Sequence, residues 1–470
     1  MAHRRVERTR LARRALAVLL AGGAVVAVAA SAGVEAGCSA KDAPKSTSPD
    51  AIPIGVSLAL TGGELDTFAA PLRDVVRVAE SQINANGGVL GRPVVFKFND
   101  DGGESGDRLT SGIRSLLEKD KVLGLIGPIG SGQVAAAHSI TQAAKVLLLA
   151  PSATATSLSA AEPAVDRYLF RTTPNDDFQA KAVIKLALQG PTVSKADAGA
   201  PVSDASADAG PAPPPGPFCK SIAVAYIDND YGRGMADTIA TLYPKQGGTV
   251  AAKVELPEKS VSSYESQVNA ILGSTPPSCI VLIAYEKIGA RFMIDLRAKN
   301  TSVLVFGTDG IFTPGFITAS KTGTEFMADG VYGTNPDTNP QSNEFVEFKK
   351  VYNAYFPGEP PTFTANTYDA AILIALAIQR AGTTADKARI RDALYDVSAK
   401  GTVFGPSQYG EAVQAMLNGI DIDYKGASGD CDFSDNGDVK GGFIVWKVEK
   451  GAFLADPVRR FKPEDLEGIK

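Results

Sequence analysis

The chain has 470 residues, of which 44% are hydrophobic and 21% are charged, and its formal net charge is −5. This length and composition are typical of a globular protein with two or three domains. The acidic balance, without a stripe of lysine and arginine, argues against a nucleic-acid partner. Because His3 and His138 are the two histidines of the chain, a histidine-based metal site is not expected, and no cofactor is predicted.

The N-terminus has the pattern of a bacterial export signal. Six arginines within the first 14 residues precede an uncharged apolar run, Ala15–Val34, and Ala-Gly-Cys follows shortly after it. This ending resembles the cleavage motif of lipoproteins, which makes Cys38 the predicted site of lipid attachment to the membrane. Plain secretion and retention of the run as an uncleaved anchor remain alternatives. We expect residues 1–38 to be the signal and residues 39–51 to form a polar tether outside the cytoplasm.

The next part of the chain alternates short apolar runs with amphipathic stretches. One such stretch, Leu72–Ile83, carries apolar residues at the spacing of one helical face. The predicted strands are Ile54–Leu60, Pro93–Phe98, Leu123–Ile126, Val146–Ala150 and Tyr168–Thr172. Alternation of strand and helix in this way predicts a parallel, doubly wound α/β sheet.

The same architecture begins again after Pro174. Its predicted strands are Ile222–Ile227, Thr249–Glu255, Ile280–Ala284, Val303–Gly307 and Gly330–Tyr332, with a helix from about Gly234 after the first of them. Residues 190–217 are rich in Ala, Pro, Asp and Ser, which predicts a disordered surface insertion. Two amphipathic helices, a hairpin turn at Asp435–Asp438 and a last strand, Gly442–Lys447, follow.

Polar residues follow the predicted strands in both halves. In an open parallel sheet, ligands bind at the carboxyl ends of the strands. Hydroxyl and N–H groups there suit a carboxylate, whereas an acid such as Asp309 suits an ammonium group. The candidates are Thr61, Ser131, Ser152, Thr154, Asp176 and Asp177 in the first half, and Asp228, Tyr231, Tyr285, Glu286 and Asp309 in the second, with Phe68, Tyr231 and Tyr285 available for apolar packing. Two facing crevices predict a small zwitterion caught by hinge closure.

Three motifs point to other functions, but each fails at a required position. The Gly-x-Gly pair ending at Gly234 resembles a dinucleotide fingerprint, yet Asp237 stands where its third glycine is needed. Asp432–Asp438 begins like a calcium loop, but Phe443 occupies the position of the bidentate glutamate. Ile129 stands two residues before Ser131, where a nucleophile elbow requires a glycine. The chain is therefore not expected to be an enzyme.

The cysteines beyond Cys38 fit an oxidising compartment, which permits disulfides. Cys219 precedes one predicted strand of the second half, and Cys279 precedes another. If these strands are parallel neighbours, the two cysteines lie at the same sheet edge, within bridging distance. We therefore predict a Cys219–Cys279 disulfide, which leaves Cys431 without a partner.

In this order, several segments resemble the periplasmic solute-binding proteins of the branched-chain amino-acid ABC transport family. Similarity extends over about residues 52–455. The segments are Ile54-Gly-Val with Leu60-Thr-Gly62, Ile83-Asn-Ala-Asn-Gly-Gly88, Gly127-Pro-Ile-Gly-Ser131, Ala150-Pro-Ser-Ala-Thr154, Phe170-Arg-Thr172 and Asp230-Tyr-Gly-Arg-Gly234. The segment after Gly62, Gly-Glu-Leu-Asp-Thr-Phe68, departs from the family pattern at the start of the following helix.

The resemblance implies two lobes of the type I periplasmic binding fold, joined by three crossovers. The corresponding organisation places residues 52–174 and 333–430 in lobe 1, and residues 175–332 and 431–470 in lobe 2 with the C-terminal tail. It also implies an extracytoplasmic, monomeric receptor that closes on an amino-acid-like ligand and delivers it to an ABC permease in the inner membrane. A ligand-sensing lipoprotein of the same fold, without a transport role, is the alternative.

The resemblance also assigns roles to residues. Ser131 and Thr154 hold the carboxylate end of the ligand, and Ser152 and Ala153 belong to the same loops. Asp309 holds the ammonium group. Tyr231 and Tyr285 flank the ligand, and Asp176 or Asp177, of which Asp177 is the chosen candidate, lies on the hinge side.

Overall fold

A computed structural model describes residues 48, 50–159, 166–191, 216–299 and 303–470. The predicted export signal, Cys38 and most of the 190–217 insertion lie outside these residues. Within the described ranges, none of the helices has the length and apolar character needed to cross a membrane.

The first sheet is fully parallel and has the strand order β2-β1-β3-β4-β5. Its strands are β1 (Ile52–Leu58), β2 (Val94–Asp100), β3 (Gly124–Ile126), β4 (Leu147–Ala150) and β5 (Leu169–Arg171). Helices α1 (Asp66–Ala85), α2 (Asp107–Glu118) and α3 (Ser131–Ala143) connect the strands. Strands covered on both faces are apolar throughout, which is why they were recognisable in the sequence. The doubly wound fold is confirmed.

The second sheet begins with five parallel strands and ends with antiparallel ones, in the order β7-β6-β8-β9-β12-β16-β17. Its strands are β6 (Ser221–Ile227), β7 (Thr249–Leu256), β8 (Cys279–Ile283), β9 (Leu304–Gly307), β12 (Tyr332–Pro336), β16 (Phe443–Glu449), β17 (Ala452–Phe453) and β18 (Arg459–Phe461), the last paired with β16. A two-stranded hairpin, β10 (Lys321–Thr322) with β11 (Glu325–Phe326), lies apart from it. The helices of this lobe are α4 (Asp176–Gln189), α5 (Asp230–Leu242), α6 (Glu265–Leu272), α7 (Glu286–Lys299), α8 (Pro314–Ala319) and α13 (Pro463–Leu466).

Several element boundaries differ from the predicted ones, and two of these differences involve glycines. Strand β12 continues through Gly333, where a Cβ would lie 2.1 Å from Trp446, so the glycine allows close packing instead of ending the strand. Helix α5 begins at Asp230 rather than near Gly234. The Asn229 side chain caps it by accepting a hydrogen bond from the N–H of Gly232 at 3.1 Å.

The remaining elements return to the first lobe. Helix α10 packs against α1 and against β3 and β4 of the first sheet. The helices are α9 (Asn343–Asn353), α10 (Thr364–Ala381), α11 (Lys387–Ser398) and α12 (Tyr409–Leu417), and a small sheet contains β13 (Thr402–Phe404), β14 (Ile422–Gly426) and β15 (Gly429–Asp430). The chain therefore passes between the lobes three times, at residues 172–175, 337–342 and 431–442.

Two of these crossovers are tied together by a buried ion pair. Arg171 Nε donates to Asp438 Oδ1 at 2.7 Å, and Asn175 Nδ2 donates to Asp438 Oδ2 at 3.0 Å. Asp438 belongs to the segment predicted as a hairpin turn. That prediction is wrong: the segment is a turn, but the strand after it, β16, pairs with β12, β17 and β18 instead of with the strand before it.

Cys219 and Cys279 form a disulfide, with their Cα atoms 5.8 Å apart. Cys279 opens β8, which pairs with β6 so that Ile222 lies opposite Cys279. Cys431 is a buried free thiol.

Replacing Cys219 and Cys279 together by alanine is expected to lower the free energy of unfolding by about 2–4 kcal/mol. The cross-link spans 60 residues and restricts the unfolded chain. Urea denaturation of the variant and of the wild type measures the difference, with Cys431→Ala as the control that leaves the disulfide intact. Mass spectrometry of the unreduced protein should find the linked peptides, and two free thiols there would contradict the assignment.

Candidate ligand-binding site

The strand ends of the two lobes enclose a cavity of about 310 Å³, counted to its mouth. Most of this volume lies toward the open mouth, so the two lobes leave little enclosed space between them in this arrangement. The lining residues are Leu65, Phe68, Ile129, Gly130, Ser131, Ser152, Thr154, Tyr231, Tyr285, Asp309, Gly310 and Phe363. Seven of the residues predicted for the site are therefore brought together, from segments that are far apart in the chain.

The loop after β3 brings the N-terminus of α3 to this cavity. Gly127 has a φ of +84°, and a Cβ there would lie 2.2 Å from the carbonyl oxygen of Ser57, so no other residue fits this turn. Gly130 gives α3 no side-chain cap. The first N–H groups of a helix have no partner within the helix, and together with the helix dipole they favour an anion.

Hydrogen bonds fasten this loop to the loop after β4. Ser131 Oγ accepts from the N–H of Ala155 at 3.1 Å, and Ser152 Oγ donates to the carbonyl oxygen of Ile129 at 3.0 Å. Ala153 is absent from the lining, because its side chain packs into the small apolar cluster behind the sheet. The lobe 1 side of the cavity is thus a rigid set of hydroxyl and N–H groups.

Asp309 supplies the negative charge on the opposite side. It follows β9 and is 3% exposed, and its Oδ1 accepts from the Tyr231 hydroxyl at 2.7 Å. The same hydroxyl lies 2.7 Å from Thr308 Oγ1. Burial raises the pKa of Asp309 above its usual value, whereas the hydrogen bond from Tyr231 lowers it in part.

A second carboxylate, Asp176, lies beside Asp309 at the start of α4. Its N–H donates to the carbonyl oxygen of Thr154 at 2.8 Å, which joins the crossover to the lobe 1 loop. The side chain is 0% exposed, and neither carboxylate oxygen has a partner at normal hydrogen-bond geometry among the described residues. Burial raises the pKa of Asp176 well above its usual value, and the neighbouring Asp309 raises it further.

Asp177, the chosen candidate at this position, is not brought to the cavity. Its carboxylate is 37% exposed and pairs with Lys181 one turn along α4, at 2.8 Å. Successive residues of a helix differ in direction by about 100°, so only one of the two acids can face inward. The structure places Asp176, the alternative, in that position.

Three further candidates serve their own loops instead of the cavity. The Thr61 hydroxyl donates to Asp100 Oδ2 at 2.6 Å. Asp228 pairs with Arg233. Glu286 accepts from the Thr313 hydroxyl at 2.6 Å.

Aromatic and aliphatic side chains complete the cavity. Tyr231 and Tyr285 stack with ring centroids 5.6 Å apart and an interplanar angle of 7°. Phe68 contacts Phe363 at a centroid distance of 6.0 Å. Leu65 contributes from the segment that departs from the family pattern. Sequence reasoning missed Leu65, Ile129 and Phe363, and Phe363 had no local signal because its loop comes from the late return to lobe 1.

The charged side chain in the lining of the cavity is negative. No lysine or arginine is among the described residues that line the cavity, and Asp309 is the ionisable acid there. The described parts of the chain also contain no cluster of side chains suited to a metal ion. A ligand with a cationic group would therefore provide the counter-charge, and a ligand with an anionic group would find the α3 N-terminus opposite.

Comparisons with known proteins agree with this fold. The profile of the periplasmic binding protein family matches residues 51–420. The Leu/Ile/Val-binding protein homolog 3 of Brucella melitensis is 26% identical over 377 residues, which cover 79% of this chain and 90% of the relative. The chemotactic signal transduction system substrate-binding protein BasB of Halobacterium salinarum is 25% identical over 417 residues, which cover 84% of this chain and 87% of the relative.

The fold is also that of a solved structure. The leucine binding protein LivK of Thermotoga maritima superimposes with a TM-score of 0.70 at 20% sequence identity, over 88% of this chain and 99% of LivK. The resemblance seen in the sequence is confirmed. The chain belongs to the periplasmic binding protein family and has the two-lobed type I fold of its branched-chain amino-acid-binding members.

Proposed function

We propose that this protein is a receptor that captures one free amino acid with an apolar side chain between its two lobes. The observation that carries the proposal is the buried acid pair, Asp176 with Asp309, in a site whose lining holds no cationic side chain. A buried charge without a counter-charge is costly. An ammonium group of the ligand supplies that counter-charge.

The opposite end of the cavity fits the carboxylate of the same ligand. The Ser131 and Thr154 hydroxyls lie there with the uncapped start of α3, whereas the Ser152 hydroxyl already donates to Ile129. Each charge-assisted hydrogen bond contributes about 1.5–3 kcal/mol, so two or three of them with the ammonium contacts account for tight binding. A zwitterion thus meets complementary groups at both ends.

The rest of the lining favours an apolar side chain on the ligand. Leu65, Phe68, Ile129 and Phe363 present hydrocarbon to the cavity, and the stacked pair of Tyr231 and Tyr285 adds an aromatic wall. Burial of apolar area contributes about 25 cal/mol per Å². The name of the Brucella relative, a Leu/Ile/Val-binding protein homolog, supports the same class of ligand.

The wider role follows from the family. We propose an exported, monomeric protein of the periplasm or cell envelope, held to the membrane through a lipid on Cys38, that delivers its ligand to an ABC permease. No catalytic step is assigned to the cavity. A sensing role is the second candidate, because the Halobacterium relative is named as part of a chemotactic signal transduction system. Loss of ligand uptake in a deletion strain supports delivery, whereas loss of taxis with normal uptake supports sensing.

The ligand class is tested by thermal shift and then calorimetry with matched compounds. L-Leucine, L-isoleucine and L-valine are expected to stabilise the protein by about 2.7 kcal/mol at a hundredfold excess over Kd, because they bind only the folded state. Leucinamide lacks the carboxylate and 4-methylpentanoate lacks the amino group, so both should fail at equal concentration. Equal stabilisation by 4-methylpentanoate would contradict the role of the acid pair.

A further inference from the structure

Polar contacts join the two lobes across the mouth of the cavity. The Lys287 ammonium, on α7 of lobe 2, lies 3.1 Å from the carbonyl oxygen of Gly63 in lobe 1. It also lies 3.1 Å and 3.3 Å from the two carboxylate oxygens of Asp66, the first residue of α1. One cation of lobe 2 thus has three acceptors in lobe 1.

Two more contacts lie beside it. The N–H of Ser260 donates to Glu64 Oε1 at 3.0 Å, and Lys259 Nζ donates to Glu104 Oε1 at 2.8 Å. Both lobe 2 residues belong to the loop between β7 and α6. We use the name latch for Gly63, Glu64, Asp66 and Glu104 of lobe 1 together with Lys259, Ser260 and Lys287 of lobe 2.

The latch flanks a residue that lines the cavity. Leu65 lies between Glu64 and Asp66, is buried, and belongs to the lining. It reaches the start of α3: a Cβ on Gly130 would lie 2.7 Å from Leu65 Cδ1. The polar groups of the segment from Gly63 to Asp66 therefore contact lobe 2, while its leucine covers the α3 end of the cavity.

We propose that residues 63–66 form a lid and that the latch holds this lid, and with it the two lobes, in the closed arrangement. These are positioning residues, because they act through the arrangement of the lobes and not through a charge on the ligand. The proposal accounts for the departure from the family pattern after Gly62. It assigns the four residues that follow to closure.

How much each ion pair of the latch stabilises the closed arrangement depends on how exposed its side chains are. The side chains of Lys287 and Asp66 are 42% and 34% exposed, and those of Lys259 and Glu104 are 77% and 62% exposed. An exposed pair shifts an equilibrium by up to about fivefold, and salt screens it. Lys287, with three acceptors and the lower exposure, should contribute the most.

The test measures lobe closure directly and without ligand. Cysteines introduced at Ser111 on α2 and Asn269 on α6, both exposed, carry spin labels, and Cys431 is too buried to react. Pulsed electron resonance then gives the populations of short and long distances between the lobes. The variants are Lys287→Met, Asp66→Asn and the double substitution. Lys349→Met is the matched control, because Lys349 pairs with Glu359 within lobe 1.

Lys287→Met is expected to lower the ratio of closed to open receptor about fivefold, and adding Asp66→Asn should change little more, because the partner is already lost. High salt should open the wild type and the Lys349→Met control, with a smaller effect on Lys287→Met. Unchanged distances in Lys287→Met, with thermal unfolding like that of the wild type, would overturn the latch. Since no ligand is added, an error in the proposed ligand class leaves this comparison unaffected.

Discussion

Replacing Asp309 by asparagine is expected to weaken binding of L-leucine by about a hundredfold or more, as measured by calorimetry. Asparagine keeps the shape of the side chain and an oxygen for the Tyr231 hydroxyl, which now donates at 2.7 Å. It removes the negative charge, so the ammonium group would be buried without a counter-ion. Loss of one partner of a buried ion pair costs about 3–5 kcal/mol, and each 1.4 kcal/mol is a factor of ten in Kd.

The matched controls lie on the first turn of α4. Asp176→Asn is expected to weaken binding about tenfold, since Asp176 adds charge beside Asp309 without belonging to the lining. Asp177→Asn should leave Kd unchanged, because its carboxylate pairs with Lys181. Asp309→Asn should unfold at a temperature no lower than the wild type, since it removes a buried charge. An unchanged Kd in that variant would reject the assignment of the ammonium site.

Much of the fold was predictable because the central parallel strands, such as β3, β4 and β8, are covered on both faces. Such strands must be apolar from end to end, as in Leu147–Ala150, and they stop abruptly in small polar residues. The same rule located most of the site. Ser131, Tyr231 and Asp309 each follow a strand, and the carboxyl ends of parallel strands meet at one edge of the sheet.

The other features of the fold and of the site depend on packing details that the sequence pattern does not contain. Whether Asp176 or Asp177 faces inward is decided by the phase of α4, which the cap at Asn175 sets. The predicted strand ended at Tyr332, but the observed one continues through Gly333, where Trp446 packs closely. Only the packed structure distinguishes a glycine that breaks an element from one that admits a neighbour.

The contribution of Phe363 depends on the late return of the chain to lobe 1, and that of Leu65 depends on how the lobes approach each other. Phe363 precedes α10, with a φ of +65°, and contacts Phe68. Leu65 is held over the cavity by neighbours that contact the other lobe. Contacts between distant segments follow from tertiary packing, so the local spacing of residues does not predict them.

Ligand binding is expected to release protons at mildly acidic pH. In the free receptor, burial raises the pKa of both Asp176 and Asp309, so their carboxyls hold protons at a pH above 3.8, the ordinary value. A bound ammonium group favours the charged form and lowers these pKa values. The complex therefore holds fewer protons than the free receptor. Affinity should therefore rise as the pH increases toward the pKa values that Asp176 and Asp309 have in the free receptor, and it should level off above them.

Calorimetry in two buffers of different ionisation enthalpy, over a series of pH values, measures this release. As the pH falls below the pKa values of the free receptor, the Kd should increase by up to about tenfold per pH unit for each proton released. In Asp176→Asn one of the two buried carboxyls is gone, so the proton release shrinks, whereas Asp177→Asn should behave as the wild type. Identical heats in both buffers at every pH would show that the acid pair is already charged before the ligand arrives. The ammonium group would then meet two carboxylates whose burial is compensated within the protein itself.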